Sequence, residues 1–154
     1  LLNEFGSVRK EKDLHPDIYP SNAFIGNYLR LKLLEREGLG NRILSETKGY
    51  FQYMADRTGT LWENATTCAS CNHGFASYVA VLLIRSVLGI EKIDLVNRTV
   101  TVRDTGVDLD FCEAELPTPD GMLSVSWRMV DGVKERKVSA PDGWRVKKVR
   151  NPAG

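Results

Sequence analysis

The stretch that decides the fold is "GFASYVAVLLIRSVLGIEKIDLVNRTVTV", from Gly74 to Val102, because the hydrophobic period changes inside it. Up to Gly89 the residues are apolar nearly all the way round a helix, which indicates a helix buried on more than one side. After Gly89 apolar and polar residues alternate, as they do in a half-buried strand. The sequence therefore predicts an α+β chain, with a helical domain over residues 1–90 and a strand-rich domain over residues 91–154.

Two further helices are predicted upstream of this stretch. The segment "SNAFIGNYLRLKLLEREGLG" offers Ser21 or Asn22 as a cap, carries apolar residues at helical spacing, and ends in two glycines, the first of them Gly38. The segment "NRILSETKGYFQYMADR" predicts a second helix that is interrupted by Gly49 and ends near Arg57. Helices therefore account for most of the first domain.

The strand-rich domain shows the same alternation in three more segments. These are "VDLDFCEAEL", "GMLSVSWRMV" and "KERKVSA", and turn sequences such as Pro-Asp-Gly and Asp-Gly separate them. Short alternating strands at close spacing are typical of antiparallel sheets packed face to face. We expect a small antiparallel β-sandwich after the helices.

Composition narrows the possible partners. The chain has 154 residues, is 42% hydrophobic, and carries 21 basic against 20 acidic residues for a net charge of +1. No apolar run approaches the roughly 20 residues of a membrane span, and no overall basic field favours nucleic acid. The basic tail "WRVKKVR" is interpreted as the solvated face of a terminal strand. Three cysteines do not describe a disulfide framework, so a cytoplasmic and a bacterial periplasmic or secreted location both remain open.

The longest predicted loop carries a C-x-x-C pair, within "GTLWENATTCASCNHGF". Cys68 and Cys71 have the spacing of half a zinc site, but a second ligand pair is absent from the sequence. A thioredoxin-like redox pair would follow a strand, and none is predicted here. The remaining interpretation is that the cysteines are small loop residues, and whether they pair is left open. No metal and no cofactor is expected.

The same loop places Trp62 and Glu63 on one side of the cysteines and Asn72 and His73 on the other. A carboxylate beside a flat aromatic surface can move a proton or activate water next to a bound sugar ring. Asn and His side chains can hydrogen-bond sugar hydroxyls. The alternative is structural, with Trp62 in the core and Glu63 capping the loop.

In combination these residues resemble the bacterial α-L-rhamnosidases of glycoside hydrolase family 78. The family pattern Thr-Leu-Trp-Glu, then Ser-x-Asn-His, then a small-residue helix and Gly-Ile is matched by Thr60–Glu63, Ser70–His73 and Gly89–Ile90. The segments "AFIGNYLRLKLLEREG" and "GYFQYMADRTGT" are similar to the two preceding barrel segments. The segment "AELPTPDGMLSVSW" resembles a strand-turn-strand of the family's C-terminal sandwich. The likeness spans about Tyr19 to Trp127.

This resemblance implies the last helices of an (α/α)6 barrel, followed by the C-terminal β-sandwich, in an inverting exo-glycosidase. Glu63 matches the family's general base, while Trp62, Asn72 and His73 match positions at the sugar. The general acid would lie on an earlier barrel segment outside this chain, which alone is then expected to be inactive. The implied partners are a rhamnose-containing glycoside or polysaccharide and the earlier part of the barrel. The alternative is a non-catalytic carbohydrate-binding or structural module.

Overall fold

The computed structural model describes residues 2–19, 25–64 and 70–149, and it shows an α+β chain in which helices precede strands. The chain divides into two compact units between Leu82 and Leu83, here called the helical unit and the β-sheet unit. The division falls before the change of hydrophobic period at Gly89. The reason is that Val87 and Leu88, at the end of the last helical stretch, belong to the core of the β-sheet unit.

The α-helices in the described ranges follow the predicted segments, except for the first, which was not predicted. They are α1 (Ser7–Lys12), α2 (Gly26–Arg36), α3 (Gly40–Glu46), α4 (Tyr53–Thr58) and α5 (Tyr78–Leu83). The predicted caps Ser21 and Asn22 lie outside the described residues. None of these helices has the length and apolar character needed to cross a membrane.

Two of the predicted helices are not uniform α-helices. A π-helical segment, Thr47–Gln52, joins α3 to α4, so the predicted second helix forms one helical run from Gly40 to Thr58. The predicted third helix consists of a 3-10 turn at Gly74–Ser77, then α5, then a π-helical segment at Ile84–Leu88. Gly89 follows with φ 91°, a left-handed conformation that favours glycine and ends the helix.

The helical unit has its own core and one well-formed ion pair. Leu34, Ile43 and Met54 are fully buried, and all three belong to the apolar residues at helical spacing in the two upstream segments. Arg30 on α2 donates two hydrogen bonds to the Glu46 carboxylate on α3, at 2.6 and 2.7 Å. Both side chains are mostly covered, so this pair ties the two helices together with charge-assisted hydrogen bonds.

The β-sheet unit contains two three-stranded sheets. The strands are β1 (Ile90–Asp94), β2 (Thr99–Arg103), β3 (Phe111–Thr118), β4 (Gly121–Val130), β5 (Val133–Ser139) and β6 (Arg145–Val149). One sheet has the order β1-β2-β6 and the other β3-β4-β5. The hairpin of β3 and β4 pairs without interruption from Phe111 with Arg128 to Thr118 with Gly121, as its strict alternation predicts.

The prediction of a wholly antiparallel sandwich is wrong in one element. β6 runs parallel to β2, with Thr99 opposite Arg145 and Arg103 opposite Val149. The other pairings, β1 with β2, β3 with β4 and β4 with β5, are antiparallel. Alternation along a strand reports which face is buried and carries no information about the direction of its neighbour. The sheets are therefore antiparallel-rich rather than purely antiparallel.

Both sheets contribute to one hydrophobic core, as in a small β-sandwich. Val100 and Val102 come from one sheet, and Leu123, Val125 and Trp127 come from the other. Trp127 is only 2% exposed, and its indole Nε1 donates to the carbonyl oxygen of Val87 at 3.2 Å. The largest core side chain thereby also satisfies a carbonyl near the C-terminal end of the last helical stretch, where such groups lack helical partners.

Two cations on β5 point towards the inside of the β-sheet unit. Lys134 donates to the carbonyl oxygen of Thr105 and lies 4.1 Å from the centre of the Trp127 ring, while Arg136 donates to the carbonyl oxygen of Arg103. Burial lowers the pKa of Lys134 and of Arg136. β5 is an edge strand, and inward-facing charges on an edge strand oppose pairing with another chain.

Candidate functional site

The two motif segments of the long loop lie side by side. The His73 backbone N–H donates to the carbonyl oxygen of Leu61 at 2.8 Å, and the Glu63 backbone N–H donates to the carbonyl oxygen of Ser70 at 2.9 Å. This pairing is antiparallel, since the later residue of one segment faces the earlier residue of the other. It brings the Trp62-Glu63 segment alongside the Asn72-His73 segment. Residues 65–69, which join the segments, lie outside the described residues.

Trp62 is held by helix α4. Its backbone N–H points at the Met54 sulfur at 3.4 Å, and its indole Nε1 donates to Thr58 Oγ1 at 2.8 Å. The Tyr53 ring meets the indole edge-on, with 5.8 Å between ring centres. At 9% exposure the indole has little open surface of its own. Contacts with α4 therefore hold Trp62 in place, and Trp62 in turn fixes the backbone of the next residue, Glu63.

Glu63 follows directly on this anchored tryptophan. Its residue is half-buried, and its backbone is fixed by Ser70 as described above. The carboxylate forms no ion pair with any residue in the described ranges. A carboxylate fixed through its backbone, with oxygens not committed to a neighbouring cation, can accept a hydrogen bond from water.

The opposite segment presents polar side chains at the surface. Asn72 is exposed and His73 is half-buried. Ser70 Oγ donates to the carbonyl oxygen of Asn72 at 3.2 Å, and the 3-10 turn of Gly74–Ser77 begins immediately after His73. The segment is thus held through its backbone, and the Asn72 residue remains exposed.

The metal and redox interpretations find no geometric support in the part of the chain that the structure describes. No group of three or more His, Cys, Asp or Glu side chains there could hold a metal ion. Cys71 is exposed, but its C-x-x-C partner Cys68 lies outside the described residues. Cys112 lies on β3, and burial raises the pKa of its thiol, which makes it a poorer nucleophile.

Three residues near the site were not identified from the sequence. Thr58 holds the Trp62 indole, and Tyr53 packs against it with the Arg57 guanidinium 4.3 Å from the Tyr53 ring centre. All three lie on α4, and Tyr53 is half exposed. Their only sequence signal is that α4 ends just before the Trp-Glu pair, which places its last two turns next to the loop.

A scan against protein-family models found no match for this chain, and searches of curated proteins and of solved structures found none either. The motif residues and the geometry of this loop are therefore the features that point to a function.

Proposed function

We propose that this chain is the C-terminal part of an inverting exo-glycosidase that hydrolyses terminal α-L-rhamnosides. In this proposal the helical unit supplies the last helices of an (α/α)6 barrel, and the β-sheet unit is the sandwich that follows it. The observation that carries the proposal is the antiparallel backbone pairing of the two motif segments, which brings the backbone of Glu63 alongside the segment that carries Asn72 and His73. A sugar site requires such convergence of a carboxylate and hydroxyl-binding groups.

The proposed chemistry is a single displacement. Glu63, as the general base, removes a proton from a water molecule, and the water oxygen forms a bond to the anomeric carbon while the bond to the leaving oxygen breaks. A general acid on an earlier barrel segment protonates the leaving oxygen. In inverting enzymes the two carboxyl groups stand roughly 6.5–9.5 Å apart, which leaves room for the water. The water attacks the face opposite the leaving group, so the anomeric configuration is inverted.

The other site residues bind and orient the sugar in this proposal. Asn72 and His73 hydrogen-bond ring hydroxyls from one side of the site. Trp62 fixes the backbone of Glu63 from below, and this role is supported by its burial against α4. Orientation of this kind matters because a bound sugar must present its anomeric carbon to a water held by a single carboxylate.

The direct test is Glu63→Gln in the full-length protein, assayed on an aryl α-L-rhamnoside. The substitution keeps the size of the side chain and removes the base. We expect kcat to fall by about 10²–10⁴, the range for a positioned acid–base group. Glu37→Gln is the matched control, since Glu37 is an exposed glutamate just after α2. Unchanged turnover in the Glu63 variant would refute the assignment of the base.

A second candidate function is a non-catalytic carbohydrate-binding or structural module. It is favoured by the β-sheet unit, whose two sheets share a core of their own. The two candidates differ in what Glu63→Gln does to glycan binding and turnover. A binding module retains glycan binding without turnover in both wild type and variant, whereas the glycosidase loses turnover only in the variant.

A further inference from the structure

A chain of hydroxyl groups connects the two motif segments through α4. The Trp62 indole Nε1 lies 2.8 Å from Thr58 Oγ1, and Thr58 Oγ1 lies 2.7 Å from Thr60 Oγ1. Thr60 Oγ1 in turn donates to the carbonyl oxygen of Cys71. Three consecutive hydrogen bonds therefore run from the Trp62 ring to the backbone just before Asn72.

Counting donors fixes the direction of this chain. An indole N–H can only donate, so Thr58 Oγ1 accepts from Trp62. A carbonyl oxygen can only accept, so the single hydroxyl proton of Thr60 goes to Cys71. Thr60 must then accept from Thr58. The Met54 carbonyl oxygen also lies within reach of Thr58, but at 3.3 Å it is the longer contact.

Each hydroxyl in this arrangement donates once and accepts once, in one direction. Hydrogen bonds aligned in this way polarise and strengthen one another. A change at one end of the chain is therefore transmitted to the other end. The indole N–H has no other polar partner among the described residues, and with the ring 9% exposed it has little access to water.

We propose that Thr58 is a positioning residue of the sugar site, and that its hydroxyl couples the Trp62 indole to the Asn72-His73 segment, in addition to the direct backbone hydrogen bonds between the two segments. That the ligand is a sugar rests on the proposed function, whereas the coupling between the two segments rests on the hydrogen bonds alone. Thr58 does not touch the substrate. It acts through Trp62 on one side and through Thr60 and Cys71 on the other.

The first experiment measures the coupling by ¹H–¹⁵N NMR of the whole chain. The indole signal of Trp62 is assigned by its loss in Trp62→Phe. Thr58→Val is expected to shift that signal and also the backbone amides of Asn72 and His73. Thr58→Ser, which keeps the hydroxyl, is expected to restore the wild-type positions. Thr47→Val is the control, because the buried Thr47 hydroxyl has no hydrogen-bond partner among the residues that the structure describes.

Thr60→Val provides a second test that does not alter Thr58. Thr60 does not touch the indole, yet its loss leaves the Met54 carbonyl oxygen as the acceptor that remains for the Thr58 proton. The Trp62 indole signal should therefore shift in Thr60→Val and return in Thr60→Ser. The proposal is overturned if the Trp62 indole signal is unchanged in Thr60→Val. It is also overturned if the amide signals of Asn72 and His73 do not shift in Thr58→Val.

The last step separates positioning from the identity of the sugar. L-rhamnose is titrated into the full-length protein, as wild type, Thr58→Val and Thr58→Ser. We expect Kd to rise about tenfold in the valine variant, as misplacement of binding groups does, and to stay near wild type in the serine variant. If the wild type does not bind rhamnose, that result counts against the proposed function. The indole shifts still test the coupling between the two segments in that case. Equal affinity in wild type and Thr58→Val would overturn the positioning role.

Discussion

The two units differ in what holds their elements together. In the β-sheet unit both sheets contribute to one apolar core around Trp127. The helical unit also buries apolar residues, and in addition the covered ion pair of Arg30 with Glu46 ties α2 to α3. Both units expose large apolar side chains, such as Leu29 at 60% and Phe111 at 64%, so exposure alone does not distinguish them.

Under the proposed function the β-sheet unit is the sandwich and the helical unit is the end of a larger barrel. Under that proposal the open apolar residues of the helical unit pack against earlier barrel helices. Substitutions in the apolar core of the β-sheet unit, and in the ion pair of the helical unit, test how much each contributes to stability.

The largest effect is expected for Trp127→Ala. The substitution removes a side chain that is 2% exposed and leaves a cavity between the two sheets. Aromatic-to-alanine changes in cores cost about 3–5 kcal/mol of unfolding free energy. Urea unfolding followed by circular dichroism measures it, with Trp144→Phe as a control at a partly exposed tryptophan. A loss below about 1 kcal/mol would show that the two sheets do not share a tight core.

Gly89→Ala is expected to destabilise the β-sheet unit by about 3 kcal/mol, from a strained left-handed residue and a clash. Gly89 has φ 91°, and an added Cβ would meet the carbonyl oxygen of Arg103 and the Arg136 guanidinium. Gly106→Ala is the matched control, because nothing lies within 4 Å of its added Cβ. Equal melting temperatures for the two variants would contradict the close approach at Gly89.

In the helical unit, Glu46→Gln should cost about 2 kcal/mol, because it removes the charge that accepts two hydrogen bonds from Arg30. The same substitution at the exposed Glu37 should change the unfolding free energy by less than about 0.5 kcal/mol. Urea unfolding of both variants gives the comparison. If Glu46→Gln is as mild as Glu37→Gln, α2 and α3 are held by their apolar contacts alone.

The smallest effect concerns Asp94, the last residue of β1. The backbone N–H of Asn97 and then its side chain, with Lys92, lower the pKa of the Asp94 carboxyl to about 2. Because the folded pKa is lowered, the stabilisation is present above the unfolded value of about 3.9 and is lost as pH falls towards 2. NMR titration of Asp94 should give about 2 in wild type. Asn97→Ala keeps the backbone N–H but removes the side-chain donor, so it should raise the pKa of Asp94 part of the way, and an unshifted value there would rule out the Asn97 side chain as a cause.

The sequence predicted the β-sheet unit in more detail than the helical unit, and the reason is the range of the interactions. The segment "GMLSVSWRMV" coincides with β4 because alternation reports burial directly, residue by residue. The parallel pairing of β6 was not predictable, since it depends on where the chain returns after β5. The π-helical segment Thr47–Gln52 was missed because its wider turn depends on packing, which a 3.6-residue period does not report.

The candidate site shows the same limit. Trp62, Glu63, Asn72 and His73 were identified from their residue types, which are a local property. That the two segments pair through their backbones, and that Thr58 holds the Trp62 indole, depends on the path of the loop in space. Threonine at the end of a helix is common, so its type alone carried no signal of this role.

The most direct test of the central claim is the configuration of the sugar that the full-length protein releases. An aryl α-L-rhamnoside is hydrolysed in an NMR tube, and the anomeric proton of the product is recorded before the free sugar mutarotates. We expect β-L-rhamnose to appear first, and its formation to fall by about 10²–10⁴ in Glu63→Gln. Release of the α anomer first, or equal rates in wild type and variant, would contradict the central claim.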